Sequence, residues 1–199
     1  MSVEILSGLA LFAFVSSITP GPNNLMLMTS GVNFGMRRSV PHILGVSLGF
    51  MLMTATVGLG LMQVFAKYPV VFSALKYICF AYLLYLAWRI ATTNSIETKD
   101  ISVAKPLNLL QAALFQWVNP KAWSMSLTAI SLYAINAQPV TVAIVVLVFG
   151  GINLPCIVGW TLAGTKIRHF LNHPQRLVIF NRTMAMLLIA AVLPMLLQD

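Results

Sequence analysis

The sequence predicts an all-α integral membrane protein of six transmembrane helices, built as two inverted three-helix repeats whose first and fourth helices are broken near the midplane. Three observations predict it. Of 199 residues, 59% are hydrophobic and 8% charged, whereas soluble domains carry roughly a quarter charged residues. Charge-free runs at Ile5–Met36, Ser39–Ala66 and Ala122–Thr165 each exceed the ~20 apolar residues that cross a hydrocarbon core of about 30 Å. Finally, proline-rich breaks recur at matching places in the two halves, Thr19-Pro20-Gly21-Pro22-Asn23-Asn24 and Asn119-Pro120-Lys121, 100 residues apart.

The six spans are expected at Ile5–Val32, Ser39–Phe65, Val70–Ile90, Leu107–Leu132, Val140–Ala163 and Leu177–Leu197, each an apolar run of spanning length. The first is too long for a secretory core, has no basic residue before it and is interrupted by prolines, so it is expected to stay in the mature protein. The second carries Gly45 and Gly49, and Gly31 and Gly35 flank the end of the first; both pairs have the small-xxx-small spacing that lets helices approach closely. Lys76, Arg89 and Arg182 fall near the ends of the third and sixth spans, where long side chains reach the headgroups. Tyr77, Tyr82, Tyr85 and Trp88 suit interfacial anchoring or packing. Cys79 and Cys156 sit in apolar runs without metal or redox spacing and are expected to pack as small hydrophobes. His42, His169 and His173 lack ligand spacing.

Lys and Arg mark alternate connections. Arg37, Arg38, Arg89, Lys99, Lys105, Lys166, Arg168, Arg176 and Arg182 gather on one side, against Lys67 alone on the other. Because cytoplasmic loops carry the excess, both termini are expected outside, in the periplasm. A half-inserted first segment, which the Pro20-Gly21-Pro22 break would permit, is the rival arrangement. The same scatter argues against nucleic acid as a partner despite the net charge of +8, since such a surface needs its cations clustered on a folded face.

The polar stretch from Thr92 to Lys105 divides the chain into a first three-helix unit (1–91), a cytoplasmic linker (92–106) and a second unit (107–199). Units with an odd number of spans insert with opposite topology when joined in sequence, as in many secondary transporters. Each break lies roughly 15 residues into its span, hence at a depth of roughly 20 Å. Proline lacks an amide hydrogen and displaces the carbonyl four residues earlier, so Pro20, Pro22 and Pro120 are expected to free the carbonyls of Ser16, Ile18 and Gln116. Unpaired carbonyls are tolerated at this depth only inside protein or beside a watery cavity. Both breaks are therefore expected to face the bundle interior.

There the helix starting after Pro22 would offer amides and a partial positive charge to a carboxylate. Pro20, Gly21, Pro22, Asn23, Asn24, Asn119, Pro120 and Lys121 are the candidate substrate-binding residues. Asn23 and Asn119 would orient polar groups, and the prolines and Gly21 would expose backbone. Lys121 sits too deep to snorkel and is a functional candidate for that reason. It would hold a substrate carboxylate, take part in a coupling step, or clamp the freed carbonyls. All four acids, Glu4, Glu97, Asp100 and Asp199, lie at termini or in the linker. Hard-metal transport, which needs carboxylate oxygens, is disfavoured; no hydrolytic or phosphate-binding pattern points to an enzyme, and no cofactor or metal is expected.

Several motifs together resemble the LysE/RhtB superfamily of amino-acid exporters. They are Ser17-Ile18-Thr19-Pro20-Gly21-Pro22-Asn23-Asn24, Gly35-Met36-Arg37-Arg38, Gly45-Val46-Ser47-Leu48-Gly49, Leu75-Lys76-Tyr77 with Ala81 to Arg89, and Gln116-Trp117-Val118-Asn119-Pro120-Lys121-Ala122. The resemblance spans nearly the whole chain in order and implies a bacterial inner-membrane carrier that expels amino acids or derivatives, driven by the proton gradient. Many members place an aspartate where this chain has Asn23 and an acid where it has Asn153. The Pro-Gly-Pro-Asn-Asn form is most similar to the cysteine and O-acetylserine exporters, which implies small neutral amino acids, including threonine- or homoserine-like ones, over dibasic ones. The expected partners are thus a small amino-acid substrate and membrane lipid, with a homo-oligomer allowed. A non-transporting membrane scaffold, or an exporter of a metal or a lipid-like amphiphile, is the alternative.

Overall fold

The structure, a computed structural model, describes residues 1–61, 63, 67–93, 105–134, 138–171 and 173–197. The described part is all-helical: α1 (Val3–Ile18), α2 (Pro22–Gly58), α3 (Pro69–Ala91), α4 (Leu109–Phe115), α5 (Pro120–Tyr133), α6 (Pro139–Ile167) and α7 (Pro174–Leu197), with single 3-10 turns at Gln116–Val118 and Arg168–Phe170. Prolines open five of the helices, where the missing amide hydrogen costs no intrahelical bond. Ser2 caps α1 and Asn108 caps α4 in a capping box with Gln111. Most of the expected linker, including Lys99, Glu97 and Asp100, lies outside the described residues, as do Asp199 and the side chains of Lys76 and Cys79. Cys156 is buried and free.

The first two expected spans differ from their prediction. The segment after the first break and the second span are two helical arms, here together α2, that meet at a kink at Gly35 with no longer loop between them, so that Arg37 and Arg38 already lie in the second arm. Gly35 alone turns the chain, with φ 77° and ψ 170°, a backbone region open to glycine. The hydroxyls of Ser30 and Ser39 lie 2.9 Å apart, whereas nine residues of straight helix would separate them by about 13 Å. The two arms of α2 therefore fold back at Gly35. Gly35 is a turn and not the helix-packing position its spacing suggested. The second span's expected end at Phe65 lies outside the described residues, and α2 stops at Gly58.

α2 and α6 form the central pair. Gly31 meets the Thr161 carbonyl and Gly164 meets the Met28 carbonyl, so each helix offers a glycine where the other's backbone approaches. Gly45 and Gly49 do the same for α4; a Cβ on Gly49 would lie 2.5 Å from the Ala113 Cα and 2.7 Å from its carbonyl oxygen. Hydroxyl and amide pairs tie the helices across this interior. Thr54 and Ser126 hydroxyls pair at 2.7 Å, Asn33 and Asn181 exchange amide bonds, and Asn181 also donates to the Thr93 carbonyl at 2.8 Å. Buried polar groups in lipid need such partners. Outside, Leu44, Leu48 and Leu52 on α2 and Leu11, Phe14 and Val15 on α1 are exposed, an apolar surface that suits lipid and not water. By length and composition Pro139–Phe170 is long and apolar enough to cross a membrane; Pro22–Gly58 passes the same test as a whole but is divided at Gly35.

Close approach at glycine gives a direct test. Gly49→Val is expected to cost about 1–3 kcal/mol by overpacking and to lower the thermal unfolding midpoint in detergent. Gly159→Ala, where a Cβ meets nothing within 4 Å, is expected to stay within about 0.5 kcal/mol of the parent.

Candidate functional site

The two breaks meet. α1 ends at Ile18 and α2 begins at Pro22, so residues 19–21 link them outside either helix; Thr19 N still donates to the Val15 carbonyl at 3.2 Å, while the carbonyls of residues 17–20, at the end of α1 and in the break, have no helical donor ahead of them. The backbone polar groups there need partners from elsewhere. Asn24 Nδ2 donates to the carbonyls of Ser17 at 2.9 Å and Thr19 at 2.8 Å. Trp160 Nε1 on α6 donates to the Ile18 carbonyl at 3.2 Å. Lys121 Nζ, arriving from the second break, donates to the Thr19 carbonyl and to that of Pro20 at 3.4 Å. The Gly21 carbonyl starts the new helix by accepting from Leu25 N at 3.0 Å.

The second break is tighter. Gln116–Val118 narrows to a 3-10 turn, and Asn119 caps α5, its side chain accepting from Lys121 N at 3.2 Å. The Gln116 carbonyl, expected to be freed by Pro120, accepts from Asn119 N at 3.2 Å. Trp123 Nε1 donates to the Trp117 carbonyl at 2.9 Å. Gln116 and Asn23 join the breaks through a two-way amide pair, 2.7 Å in one direction and 3.2 Å in the other. Gln116 itself is fully buried.

Of the candidate residues, Gly21, Pro22, Asn24 and Asn119 are buried, Asn23, Pro120 and Lys121 are half-buried, and Pro20 is exposed. Gly21 is required by the lysine: a Cβ there would lie 2.5 Å from Lys121 Cδ. Asn23, Asn24, Gly21, Asn119 and Lys121 line one small chamber with Ser17 and Asn153. The chamber holds about 20 Å³, room for one water. Asn153 Nδ2 donates to Ser17 Oγ at 3.0 Å, while its Oδ1 is buried without a partner. Gly21 leaves the N-terminus of α2 without a side-chain cap, so its free amides and Lys121 make the chamber electropositive. No Asp or Glu lines it.

Sequence reasoning passed over Gln116, Trp160 and His42 as site residues, and noted Asn153 only as a departure from a family pattern. Gln116 carried a usable signal, being an amide three residues before Asn119 in an apolar span. Trp160 carried none, since its indole reaches Ile18 only through the α1–α6 packing. A second, larger cavity of about 440 Å³ lies toward the end rich in Lys and Arg, between the first arm of α2, His42 on its second arm, the end of α3 and residues 105–107.

The chain has clear relatives. Cysteine/O-acetylserine efflux proteins of Escherichia coli (strain K12) and Salmonella typhi are 29% and 28% identical to it over 197 residues, covering 95% of this chain and 96% of theirs. That of Klebsiella pneumoniae subsp. pneumoniae is 31% identical over 169 residues, 82% of this chain and 84% of its own. No solved structure matches. The LysE type translocator family matches residues 14–198, a span that takes in both breaks. Together with the paired breaks and the exposed apolar exterior, this makes the chain a membrane transporter and not an enzyme: it belongs to the LysE type translocator family.

Proposed function

We propose that this chain is a secondary active exporter of small neutral amino acids or their derivatives, of the cysteine and O-acetylserine kind, driven by the proton gradient across a bacterial inner membrane. The observation that carries it is the chamber where the breaks meet, electropositive, lined by amides and without a carboxylate. A zwitterion's carboxylate suits the α2 amides and Lys121, Asn23 and Asn119 suit its polar groups, and a second positive charge is repelled. The prolines and Gly21 hold the backbone open at this depth. Export is proposed to proceed by widening the chamber, with Lys121 leaving the Thr19 and Pro20 carbonyls for the substrate carboxylate.

The two-unit, inverted arrangement belongs to the same proposal. Each unit runs as a broken helix, a long helix and a third helix, and the breaks touch across 102 residues of chain. The nine Lys and Arg residues that the sequence puts in alternate connections support both termini facing the periplasm. One observation favours a scaffold instead: Lys121 and Asn24 already occupy the carbonyls of residues 17, 19 and 20, as a purely structural clamp would.

Proteoliposomes loaded with labelled cysteine, O-acetylserine, threonine, leucine or lysine, under an imposed pH gradient, decide between them. The neutral polar solutes are expected to leave at least about tenfold faster than lysine, a difference worth about 1.4 kcal/mol. Lys121→Ala and Asn23→Ala, inserted at parental levels, are expected to lower that flux about tenfold or more. Parental flux in both variants would remove the chamber as the site, and flux of no solute would favour the scaffold. For orientation, in a background lacking Cys79 and Cys156, a cysteine replacing Arg37 is expected to react with an impermeant maleimide only in inverted vesicles. One replacing Ser2 is expected to react only in intact spheroplasts; the reverse pattern would overturn the topology.

A further inference from the structure

The larger cavity is built differently from the chamber. Its 440 Å³ falls in the range of small-molecule sites. Arg89 and Lys105 are its charged lining residues, with no Asp or Glu among them. Arg89 lies over the Tyr85 ring and spends one N–H on the Lys105 carbonyl at 3.3 Å, which leaves most of its five donors for a ligand. His42, 2% exposed, lines the same cavity, and neither ring nitrogen has a hydrogen-bond partner. A neutral imidazole presents one donor and one acceptor, and leaving both unmet inside a protein is costly. The polar lining side chains of the first arm of α2 are engaged: Ser30 with Ser39, Asn33 with Asn181 and Thr29 with the Leu25 carbonyl.

Met26, Ser30 and Asn33 of the lining stand at positions 3, 7 and 10 after Asn23, which places them on one face of the first arm of α2. Asn23 lines the chamber. The cavity and the chamber are therefore consecutive along a single helix face, with the Asn23–Gln116 amide pair at the upper end.

We propose that this cavity is a loading site, distinct from the chamber, that takes a small amino acid with a polar side group: Arg89 receives the carboxylate, and His42 receives the hydroxyl, thiol or ester. It rests on the proposed export and deepens it, naming where cargo is first held and why a polar side group is selected. Arg89 and Lys105 disfavour dibasic cargo, as the chamber does.

Trp88 lines the cavity, whereas Trp160 touches the first break, so intrinsic fluorescence locates the ligand. Full-length protein in nanodiscs, titrated with O-acetylserine, is expected to show a saturable emission change that survives Trp160→Phe and is lost in Trp88→Phe. Arg89→Gln is expected to raise the apparent Kd about tenfold for O-acetylserine and for alanine. His42→Leu is expected to weaken O-acetylserine several-fold and leave alanine unchanged, and the conservative His42→Gln to recover part of the loss, which a merely misfolded variant would not. Lys121→Ala is expected to keep the Trp88 signal while losing flux.

Wild-type flux with a signal carried by Trp160, not Trp88, and with Arg89→Gln binding unchanged, would overturn the loading site and leave the export proposal standing. Absence of both flux and binding for every amino acid would overturn export, and the loading site with it.

Discussion

The unusual features where the two breaks meet answer one demand: backbone carbonyls stripped of helical partners must be given others. The carbonyls of residues 17–20, at the end of α1 and in the break, would in hydrocarbon cost several kcal/mol each if unpaired. Their donors come from three directions. Asn24 reaches back from the start of α2, Trp160 comes across from α6, and Lys121 crosses from the other half of the chain. Because Trp160 and Lys121 lie far along the sequence, the break cannot be stable until both halves have packed. The interior glycines follow from this. Gly31 and Gly164 let α2 and α6 close to backbone contact, and Gly21 leaves space for the lysine stem. Removing any of these small residues would hold the donors away from the carbonyls they serve.

What could be read from the sequence is what lipid imposes locally. An all-helical, apolar chain and the position of both breaks follow from apolar length and from proline, whose chemistry acts within four residues. α3, α6 and α7 begin within three residues of their expected starts, since Pro69, Pro139 and Pro174 mark them. The boundary between the first two spans was not readable in the same way. Arg37 and Arg38 suggested a loop, yet a single glycine with positive φ turns the chain without one. Glycine is silent about its own φ, and only the Ser30–Ser39 contact shows the reversal.

The candidate site divides along the same line. Residues whose role is local, such as Asn119 capping α5 or Gly21 preceding Pro22, stood out in the motif. Partners fixed by tertiary packing did not. Gln116 pairs with Asn23 across 93 residues and Ser17 with Asn153 across 136, distances at which a single sequence holds no periodic signal. His42 was passed over because it lacks ligand spacing, but its importance comes from having no partner at all inside a protein, which only the packed structure shows.

The contrast between a 20 Å³ chamber and a 440 Å³ cavity bears on how the proposed cycle would be driven. Among the described residues, the breaks enclose a chamber of water size, while the larger space lies beside Arg89 and Lys105. Opening the chamber requires Lys121 to leave two carbonyls and Gln116 to release Asn23, so the empty carrier resists it. A ligand shifts such an equilibrium only by its differential affinity for the open form, and a zwitterion that replaces both halves of the lost contact, its carboxylate on the lysine and its own ammonium on the vacated carbonyls, provides that difference. A solute lacking either group would leave the lysine or the carbonyls unmet. The same lysine clamp that keeps the broken helix stable when the carrier is empty would thus make opening conditional on cargo, so that structural and transport roles for Lys121 describe two occupied states of one group.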